Sequence, residues 1–570
     1  ISDNRVKLLN CREIIMSEEY GDFILIRNLA GVNPLKLPIS CEFVLNETYK
    51  VAYAKLPQDR DLLLEDAGYT AIPKLYGLMN TESMEASGIL KVQTQPGLAL
   101  TGKDTIVGVI DTGIDYTHPA FRNPDGTTRI LSIWDQTENE PDLLQYGGYG
   151  HIYTQNDINQ ALQAENPYDI VPQRDENGHG TFMAGIAAGS AEADGSFTGA
   201  APQSSLIVVK LKPAKQYLRD FYYIKEDAIA YQENDIFTAI DYLNKLADRR
   251  GEPLVLCIGL GTNQGHRGSG GRLTTFLDDI ASIHRRAVCV AVGDEANARH
   301  HYYGGVSENT SERVEINVTE DMGGFIVELW GHSSELFAVS LTSPTGEVLQ
   351  RVAVWNGQQQ KQHFLLENTR VIIDYQLGSE RSREQLIHIN FENPVRGLWV
   401  VEVFPYWISD GNFNMYLPIS DFLQQDVYFV RSNPDMTLTV PSTARFPMAV
   451  GGYNAITNGV YLESGRGYTT DGNIKPDYVA PAINVMTKNN FGQPDRMTGT
   501  CASVAIAAGA SALLMEWNIY DMDNRTVNSI ELRNQMINGT LKLPNQLFPN
   551  REEGYGRLDI YQSILNMRNL

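Results

Sequence analysis

The stretch Thr105–Phe121, TIVGVIDTGIDYTHPAF, decides the class of fold. It begins as a continuous apolar run that ends in Asp111, and Thr112 and Gly113 then turn the chain away. Similar apolar runs recur in SLIVVKL, PLVLCIGL and AVCVAV, separated by helical stretches such as DIFTAIDYLNKLADRR and LTTFLDDIASIHRR. Strands buried on both faces that alternate with helices indicate an α/β domain with a mostly parallel central sheet.

Two further units flank or interrupt this α/β pattern. Residues 1–80 alternate the short apolar runs FILIRN, CEFVLN and KVAYAKL with one helical patch, RDLLLEDAG, which predicts a small α+β unit. The polar segment TESMEASGILKVQTQPGLALTGKD, punctuated by Gly and Pro, predicts a connector. From VEINV to GLWVVEVFPYW the runs are short and separated by turns, which is typical of an antiparallel β-sandwich. We therefore assign 81–304 and 441–570 to the α/β domain and 305–440 to an inserted sandwich.

Size and charge limit the function classes. A chain of 570 residues with 42% hydrophobic content exceeds what one core usually supports, so more than one domain is expected. The 69 acidic side chains exceed the 46 basic ones and give a formal net charge of −23, which disfavours nucleic acid and anionic membrane surfaces as partners. We predict no secretory signal and no membrane span, and the compartment stays open because a signal can be removed before the numbering begins.

The cysteines predict free thiols. The chain has five, Cys11, Cys41, Cys257, Cys289 and Cys501, which are few and widely spaced for a disulfide framework. Cys257 and Cys289 lie within apolar strands and are expected to be inert core thiols. No role is assigned to Cys11 or Cys41.

Three short motifs carry candidate chemistry. Asp111 ends the first strand, DENGHGTFMAGIAAG delivers His179 at the start of a small-residue helix, and TGTCASVAIAAG places Cys501 at the N-terminus of another. Each also has an ordinary structural reading, as a strand-end turn, a helix-start turn or a buried cysteine beside a turn. Together, an aspartate, a histidine and a nucleophile in this chain order match the catalytic triad of subtilisin.

The chain resembles the subtilase family through DTGID, NGHGT, KPDYVAPA and the GTxA pattern around Cys501. Within that family it is similar to the clostridial Csp germination proteases, in LYGLMNTESMEASGI, YQENDIFTAIDYL, LGTNQGHRG and ANARHHYYGG. The resemblance implies a subtilisin-like fold, an N-terminal prodomain in residues 1–80 and a jelly-roll form of the inserted sandwich. It also implies a protein substrate or partner in the cleft, the chain's own prodomain as a partner, a small germinant as a further candidate ligand, and a spore-associated location.

The same resemblance assigns the candidate site, with two departures. Asp111 and His179 match the family's triad, whereas Cys501 stands at the serine position and Asp294, in Gly293-Asp294-Glu295, at the position of the oxyanion asparagine.

A further motif of the family implies the position of the substrate-binding strand. In IGLGTNQG, it assigns substrate binding to Gly259, Leu260 and Gly261, with Gly259 in the place of a serine. For Leu260, a plain central-strand role is an equally good reading.

These departures predict weak or absent peptidase activity. A thiol in serine geometry is expected to attack amides poorly, and an ionised Asp294 cannot donate a hydrogen bond to an oxyanion. Two readings remain: a pseudoprotease that binds or signals, which the sequence favours, and an active endopeptidase with a thiol nucleophile. The active form would cut its own connector between about Met79 and Glu85 and process a protein zymogen.

The remaining candidates are assigned structural roles. His118 is expected to shape its loop, and His300 and His301 lack the spacing of a metal site. The acidic clusters DRD and DEN are expected to be solvated surface. We predict no metal ligands and no cofactor; structural calcium is compatible with the family, but the sequence locates no site for it.

Overall fold

The computed structural model describes residues 11, 13–27, 35–57, 67–68, 70–78, 85–138, 148–191, 197–332, 334–352, 354, 359–377, 384–488 and 494–568. The predicted cleavage region lies outside these residues except for Glu85, and the predicted helix RDLLLEDAG lies outside them except for its last two residues.

The strands, in chain order, are β1 (Tyr20–Ile26), β2 (Ile39–Val44), β3 (Tyr49–Lys55), β4 (Leu75–Leu78), β5 (Ile106–Asp111), β6 (Ile130–Asp135), β7 (His151–Thr154), β8 (Ser205–Lys210), β9 (Tyr231–Gln232), β10 (Leu254–Ile258), β11 (Leu260–Gly261), β12 (Arg286–Ala291), β13 (His301–Gly305), β14 (Glu312–Val318), β15 (Gly324–Gly331), β16 (Leu336–Thr342), β17 (Val348–Leu349), β18 (Gln359–Phe364), β19 (Thr369–Leu377), β20 (Gln385–Glu392), β21 (Gly397–Trp407), β22 (Asn412–Tyr416), β23 (Val427–Phe429), β24 (Met448–Asn454), β25 (Gly459–Val460), β26 (Tyr478–Pro481), β27 (Val485–Lys488) and β28 (Pro494–Met497). The α-helices are α1 (Ile89–Thr94), α2 (Gln155–Gln163), α3 (His179–Ala188), α4 (Gln216–Phe221), α5 (Glu233–Arg250), α6 (Arg272–Ala281), α7 (Thr500–Glu516), α8 (Ser529–Gly539) and α9 (Ile560–Arg568).

A mostly parallel sheet forms the centre of the molecule, as the apolar runs predict. Its strand order is β25-β24-β12-β10-β5-β8-β6-β7, with β26 paired to β24. The pairs are parallel except β6 with β7 and β24 with β25, at the two edges. Jumps in strand order of this kind require crossover connections, which the intervening helices supply.

The central strands are buried on both faces because helices cover each face. Along β5, Val107 and Val109 belong to the core that includes α3 and α7, whereas Ile106 and Ile110 belong to the core that includes α5 and α6. This alternation follows from the two-residue period of a strand. It explains why these segments read as continuous apolar runs.

The segment predicted as a polar connector contains a short helix. In α1, Ile89 and Val92 are fully buried against the core of the central sheet. Gly88, with φ 73°, precedes it, and the chain leaves it at Gln95. The Gly and Pro residues around the helix conceal its apolar face in the sequence.

The N-terminal unit is a three-stranded antiparallel sheet of order β1-β3-β2, whose strands match the predicted apolar runs. Its inner residues pack on α5 and α6, where Tyr49 contacts Phe237 and Phe276 edge-on. The prediction that Cys11 and Cys41 are free thiols is wrong. They form a disulfide, with Cα atoms 5.5 Å apart and a sequence separation of 30.

Residues 301–429 form the two sheets of the inserted sandwich. Their strand orders are β13-β22-β15-β20-β19-β18 and β17-β16-β21-β14-β23, and all pairs are antiparallel. Both sheets contribute to one aromatic-rich core, which includes Phe325, Phe391 and Trp399. The sandwich, the N-terminal unit and α4 meet in a further buried cluster, so the three units are packed together.

Among the described residues, one helical segment, Thr500–Asp521, is long and apolar enough to cross a membrane. Most of it is buried inside the fold, where it covers the central sheet as the core helix that contains Cys501.

Candidate active site

Asp111 and His179 form a buried ion-pair geometry at the carboxyl edge of the central sheet. Asp111 is the last residue of β5, and His179 is the first residue of α3. The imidazole Nδ1 lies 2.8 Å from Asp111 Oδ1 and 2.9 Å from Oδ2. This contact directs the Nδ1 of the imidazole toward the carboxylate, which is the arrangement of the histidine and aspartate in a catalytic triad.

A network around Asp175 holds this pair in place. Its carboxylate accepts hydrogen bonds from Thr112 Oγ1 at 2.7 Å, Gly178 N at 2.8 Å, and Thr181 N and Oγ1 at 2.8 and 2.7 Å. Gly180 N–H donates to Thr112 Oγ1 at 2.9 Å. The prediction that the acidic DEN cluster is solvated is therefore wrong for Asp175, which is buried because it satisfies four donors.

Gly180 allows the two loops to meet. A Cβ on this residue would lie 2.1 Å from the carbonyl oxygen of Gly113, far inside van der Waals contact. The glycines that flank His179 thus let its backbone approach the turn that follows Asp111.

Cys501 lies in the first turn of α7, as the loop-to-helix pattern predicts, and it is fully buried. Its Sγ donates a hydrogen bond to the carbonyl oxygen of Gly259 at 3.0 Å. Gly259 lies between β10 and β11, so the nucleophile position abuts the start of the predicted substrate-binding strand.

Asp294 contacts the residue that precedes Cys501. Its Oδ1 accepts the backbone N–H of Thr500 at 3.1 Å, and Gly293 N–H donates to Thr500 Oγ1, also at 3.1 Å. The pKa of the Asp294 carboxyl is raised to about 7, mainly by burial and also by the negative charges of Glu295 and Glu463, while hydrogen bonds from Thr500 act in the opposite direction. Near neutral pH this carboxyl is therefore divided between a form that can donate a hydrogen bond and one that cannot.

Glu295 links the oxyanion segment to two other parts of the molecule, a role that the sequence analysis missed. It accepts hydrogen bonds from Asn263 Nδ2 at 3.0 Å and from Ser420 N and Oγ, each at 3.0 Å. His300 Nδ1 lies 2.7 Å from Glu295 Oε2, the oxygen that also accepts from Asn263. Burial raises the pKa of Glu295, but the His300 charge and these hydrogen bonds outweigh burial and lower it.

The two neighbouring histidines have structural partners. His300 contacts Glu295, and His301 lies 3.1 Å from the Asn433 carbonyl oxygen and 2.9 Å from Asn414 Oδ1. Among the residues that the structure describes, no group of three or more His, Cys, Asp and Glu side chains is placed to hold a metal ion. His118 accepts from Ala120 N–H at 3.0 Å and caps a 3₁₀ turn, as expected.

The predicted substrate-binding strand is paired with a segment of the same chain. Leu260 and Gly261 of β11 lie opposite Leu78 and Gly77 of β4, in antiparallel register. On its other side, β4 pairs with β9, so it forms the middle strand of a three-stranded sheet. The end of the N-terminal unit thus lies against the predicted substrate-binding strand as an added strand, close in sequence to residues 79–84.

The remaining two cysteines are core residues. Cys257 and Cys289 are buried neighbours in the parallel pair of β10 and β12. Burial raises the pKa of both thiols, to about 12 for Cys289. Both are therefore held in the protonated form, in agreement with the prediction that they are inert.

Comparisons with known proteins agree with this architecture. The chain is similar to the CspB protease of Clostridium perfringens, whose solved structure gives a TM-score of 0.76 at 26% identity and covers 85% of this chain and 97% of that one. It is 22% identical over 524 residues to the C5a peptidase of Streptococcus pyogenes serotype M18, which is 82% of this chain and 41% of that protein. The serine protease AprX of Bacillus subtilis is 31% identical over 167 residues, 29% of each chain.

The chain thus spans about two fifths of the length of the C5a peptidase. A family model described as the subtilase family matches residues 102–320 and 401–556, and the interruption between these ranges falls within the inserted sandwich. Because the match covers both segments that build the central sheet and its carboxyl-edge site, this chain belongs to the subtilase family.

Proposed function

We propose that this subtilase is a catalytically impaired pseudoprotease of the Csp type, which acts by binding an extended protein segment in its cleft. The observation that carries the proposal is the carboxyl group of Asp294 beside Cys501, where it accepts the N–H of Thr500. Triad members Asp111 and His179 are retained, so the impairment lies in the nucleophile and in oxyanion stabilisation.

The charge of Asp294 works against acyl transfer. In an active subtilase an asparagine side chain donates a hydrogen bond to the developing oxyanion, and removal of one such donor costs about 10²–10³ in rate. An ionised Asp294 would repel the oxyanion. With its pKa raised to about 7, part of the population carries that charge at neutral pH and nearly all of it does so in mildly alkaline solution.

The environment of Cys501 adds to the impairment. The thiolate is the nucleophile, yet the thiol donates its hydrogen bond to the Gly259 carbonyl, which cannot act as a base. A hydrogen bond that uses the proton of the thiol stabilises the neutral form. The two departures together reduce peptidase turnover more than either alone.

Peptide binding is supported by the chain's own strand in the cleft. Because β4 is held between β9 and β11 through backbone pairing, the same groove can hold an extended segment of a partner protein by strand addition. We further propose that residues 1–80 serve as the prodomain, that 81–304 and 441–570 build the subtilase domain, and that 305–440 are a jelly-roll insertion. In this proposal the connector at 79–85 stays uncut or is cut slowly.

An active endopeptidase with a thiol nucleophile is the second candidate. The close contact between His179 and Asp111 favours it, because a fully relaxed site has no need of an oriented imidazole. In that case the protein cleaves its own connector and processes a protein zymogen. In either case the similarity to CspB supports a role in spore germination, with a small germinant as a candidate ligand of the binding form.

A restoration series tests the proposal. Wild type, Cys501→Ser, Asp294→Asn and the double variant are assayed for cleavage of the connector and for labelling by a fluorophosphonate probe. We expect the wild type to run as one chain near 63.5 kDa and the double variant to separate into two chains that also label.

The same series distinguishes the two candidates. Connector cleavage by wild type at a rate comparable to the double variant contradicts the pseudoprotease and supports the thiol endopeptidase. His179→Ala in the double variant is the matched control, because it removes the general base while keeping both restored residues; it should abolish cleavage and labelling.

A further inference from the structure

A space at residue 259 accommodates the sulfur of Cys501. A Cβ built on Gly259 would lie 3.0 Å from Cys501 Sγ, 3.5 Å from Cys501 Cβ and 2.9 Å from Met183 Cε. Ordinary van der Waals contact begins near 3.4 Å, so a side chain at residue 259 requires the sulfur to move from this position by a few tenths of an ångström. Both residues are fully buried, which leaves little room for either to shift.

In this space the thiol of Cys501 lies beside a poor proton acceptor, the carbonyl oxygen of Gly259. With Cys501 Sγ 3.0 Å from the Gly259 carbonyl oxygen, the thiol donates to an amide, which accepts the hydrogen bond but does not remove the proton. The contact therefore favours the neutral thiol over the thiolate.

We propose that Gly259 is a positioning residue for Cys501, because its missing side chain leaves a slot in which the thiol is held as a donor to the Gly259 carbonyl. The glycine and the cysteine thus form a matched pair: the sulfur is accommodated because residue 259 lacks a Cβ. This role deepens the proposed function, on which it rests, by assigning the impairment of the nucleophile to a third residue besides Cys501 and Asp294.

The first test is the pH profile of thiol alkylation. Full-length wild type and Gly259→Ala are treated with iodoacetamide, and modification of Cys501 is followed by peptide mass mapping. The added methyl group forces the sulfur out of the slot and away from the carbonyl, so we expect the alkylation midpoint to fall by roughly one pH unit, with a faster rate at neutral pH. An unchanged midpoint and rate in a folded variant overturns the proposal.

Two further variants separate the sulfur contact from the methionine contact. Gly259→Ala combined with Met183→Ala removes the clash at Met183 Cε and keeps the one at Cys501 Sγ. If positioning of the thiol is the role of Gly259, this pair retains the lowered midpoint. A return to the wild-type midpoint shows instead that Met183 transmitted the effect, and it overturns the proposal.

A thermal double-mutant cycle covers the case in which Gly259→Ala folds poorly. Gly259→Ala is expected to lower Tm by several degrees beside Cys501 and by much less beside Cys501→Ala, because the smaller side chain vacates the slot. Equal losses in both backgrounds overturn the matched pair. The cycle is independent of turnover, so cleavage of the connector by wild type would contradict the proposed function while leaving this result to stand or fall on its own.

Discussion

The two halves of the site differ in how closely they keep to a working protease. In the base half, Asp111 and His179 remain in contact at 2.8 Å, and the surrounding loops are held by Asp175. In the nucleophile half, a thiol donates to the Gly259 carbonyl and a carboxyl group receives the N–H of Thr500. In the proposed function, the base half keeps the residues of a working protease, whereas the nucleophile half differs from one in both the nucleophile and the oxyanion residue.

The difference teaches that retention of a triad residue is weak evidence for turnover. The base half is embedded in a network in which Asp175 satisfies four donors and Gly180 passes close to Gly113. Loss of such a network leaves buried polar groups without partners, which destabilises the fold whether or not the protein is an enzyme. Folding alone can therefore preserve this half, and the chemistry must be judged on the other.

The largest effect is expected when Asp111 of the base half is replaced in a variant whose nucleophile half carries the restored serine and asparagine. Asp111→Asn in the Cys501→Ser, Asp294→Asn background should slow connector cleavage about 10⁴-fold, because an amide holds the imidazole in the wrong tautomer. Time courses of the two-chain product measure the effect. The same substitution in wild type is the control and should leave cleavage at its low starting level; a large loss there would mean that the unrepaired site already turns over.

The second prediction tests the effect of the Asp294 charge on the reaction rate by varying the pH. Asp294→Asn and wild type are compared as a ratio of rates for hydrolysis of an activated ester such as p-nitrophenyl acetate, so that titration of the thiol largely cancels. Below pH 7 the protonated carboxyl can donate like an amide, and the ratio stays near one; above pH 7 it should rise toward about 10²–10³, because ionisation removes the donor. A ratio that does not change with pH means that Asp294 does not face the oxyanion.

The third prediction concerns stability. Because the folded-state pKa of Asp294 is raised from 3.8 to about 7, the folded protein binds more protons than the unfolded chain between these values, and its contribution to stability falls as pH rises through this window. Asp294→Asn should therefore stabilise the protein at pH 8 by roughly 2–4 kcal/mol, the lower figure allowing for solvent screening at a partly buried residue, and by little near pH 4. Urea unfolding at the two pH values measures the difference, and an equal gain at both would refute the titration of Asp294 as its cause.

The smallest effect is expected at two threonines, Thr112 beside the base half of the site and Thr500 beside the nucleophile half. Thr112→Val removes the hydroxyl that donates to Asp175 and accepts from Gly180, and it should cost about 1–3 kcal/mol in urea unfolding without moving the pH midpoint of the ester-rate ratio. Thr500→Val is the matched control on the other side. It removes a hydrogen bond that lowers the pKa of Asp294, so the midpoint should move above pH 7. Equal midpoints in the two variants would show that Thr500 does not control Asp294.

Much of the fold could be predicted because the hydrophobicity of the residues indicates which segments are buried. The continuous apolar runs match β5, β8, β10 and β12, and the small-residue runs after His179 and at Cys501 match α3 and α7. Hydrophobicity and periodicity are local properties of a chain, so they can be read without coordinates. The helix Ile89–Thr94 was missed because its two buried residues are too few to produce a visible period.

The errors concern specific polar and covalent partners, which hydrophobicity and spacing do not identify. Spacing alone favoured free thiols at Cys11 and Cys41, yet the N-terminal fold brings their Cα atoms to 5.5 Å. Acidic character favoured solvent for Asp175, yet four donors converge on it. The partner of Cys41 lies 30 positions away in sequence, and Asp175 accepts from the nearby Gly178 and Thr181 as well as from the distant Thr112.

The sequence by itself determined the family and the α/β class and indicated Asp111, His179, Asp294 and Cys501 as the candidate site, because motifs and apolar periods are local. Tertiary structure decided what those positions can do. It raised the proton affinity of Asp294 through burial, placed the thiol of Cys501 in the space left by Gly259, and paired the strand Leu75–Leu78 with Leu260–Gly261. Desolvation, steric exclusion and strand pairing all depend on which distant residues meet, and folding alone decides which residues these are.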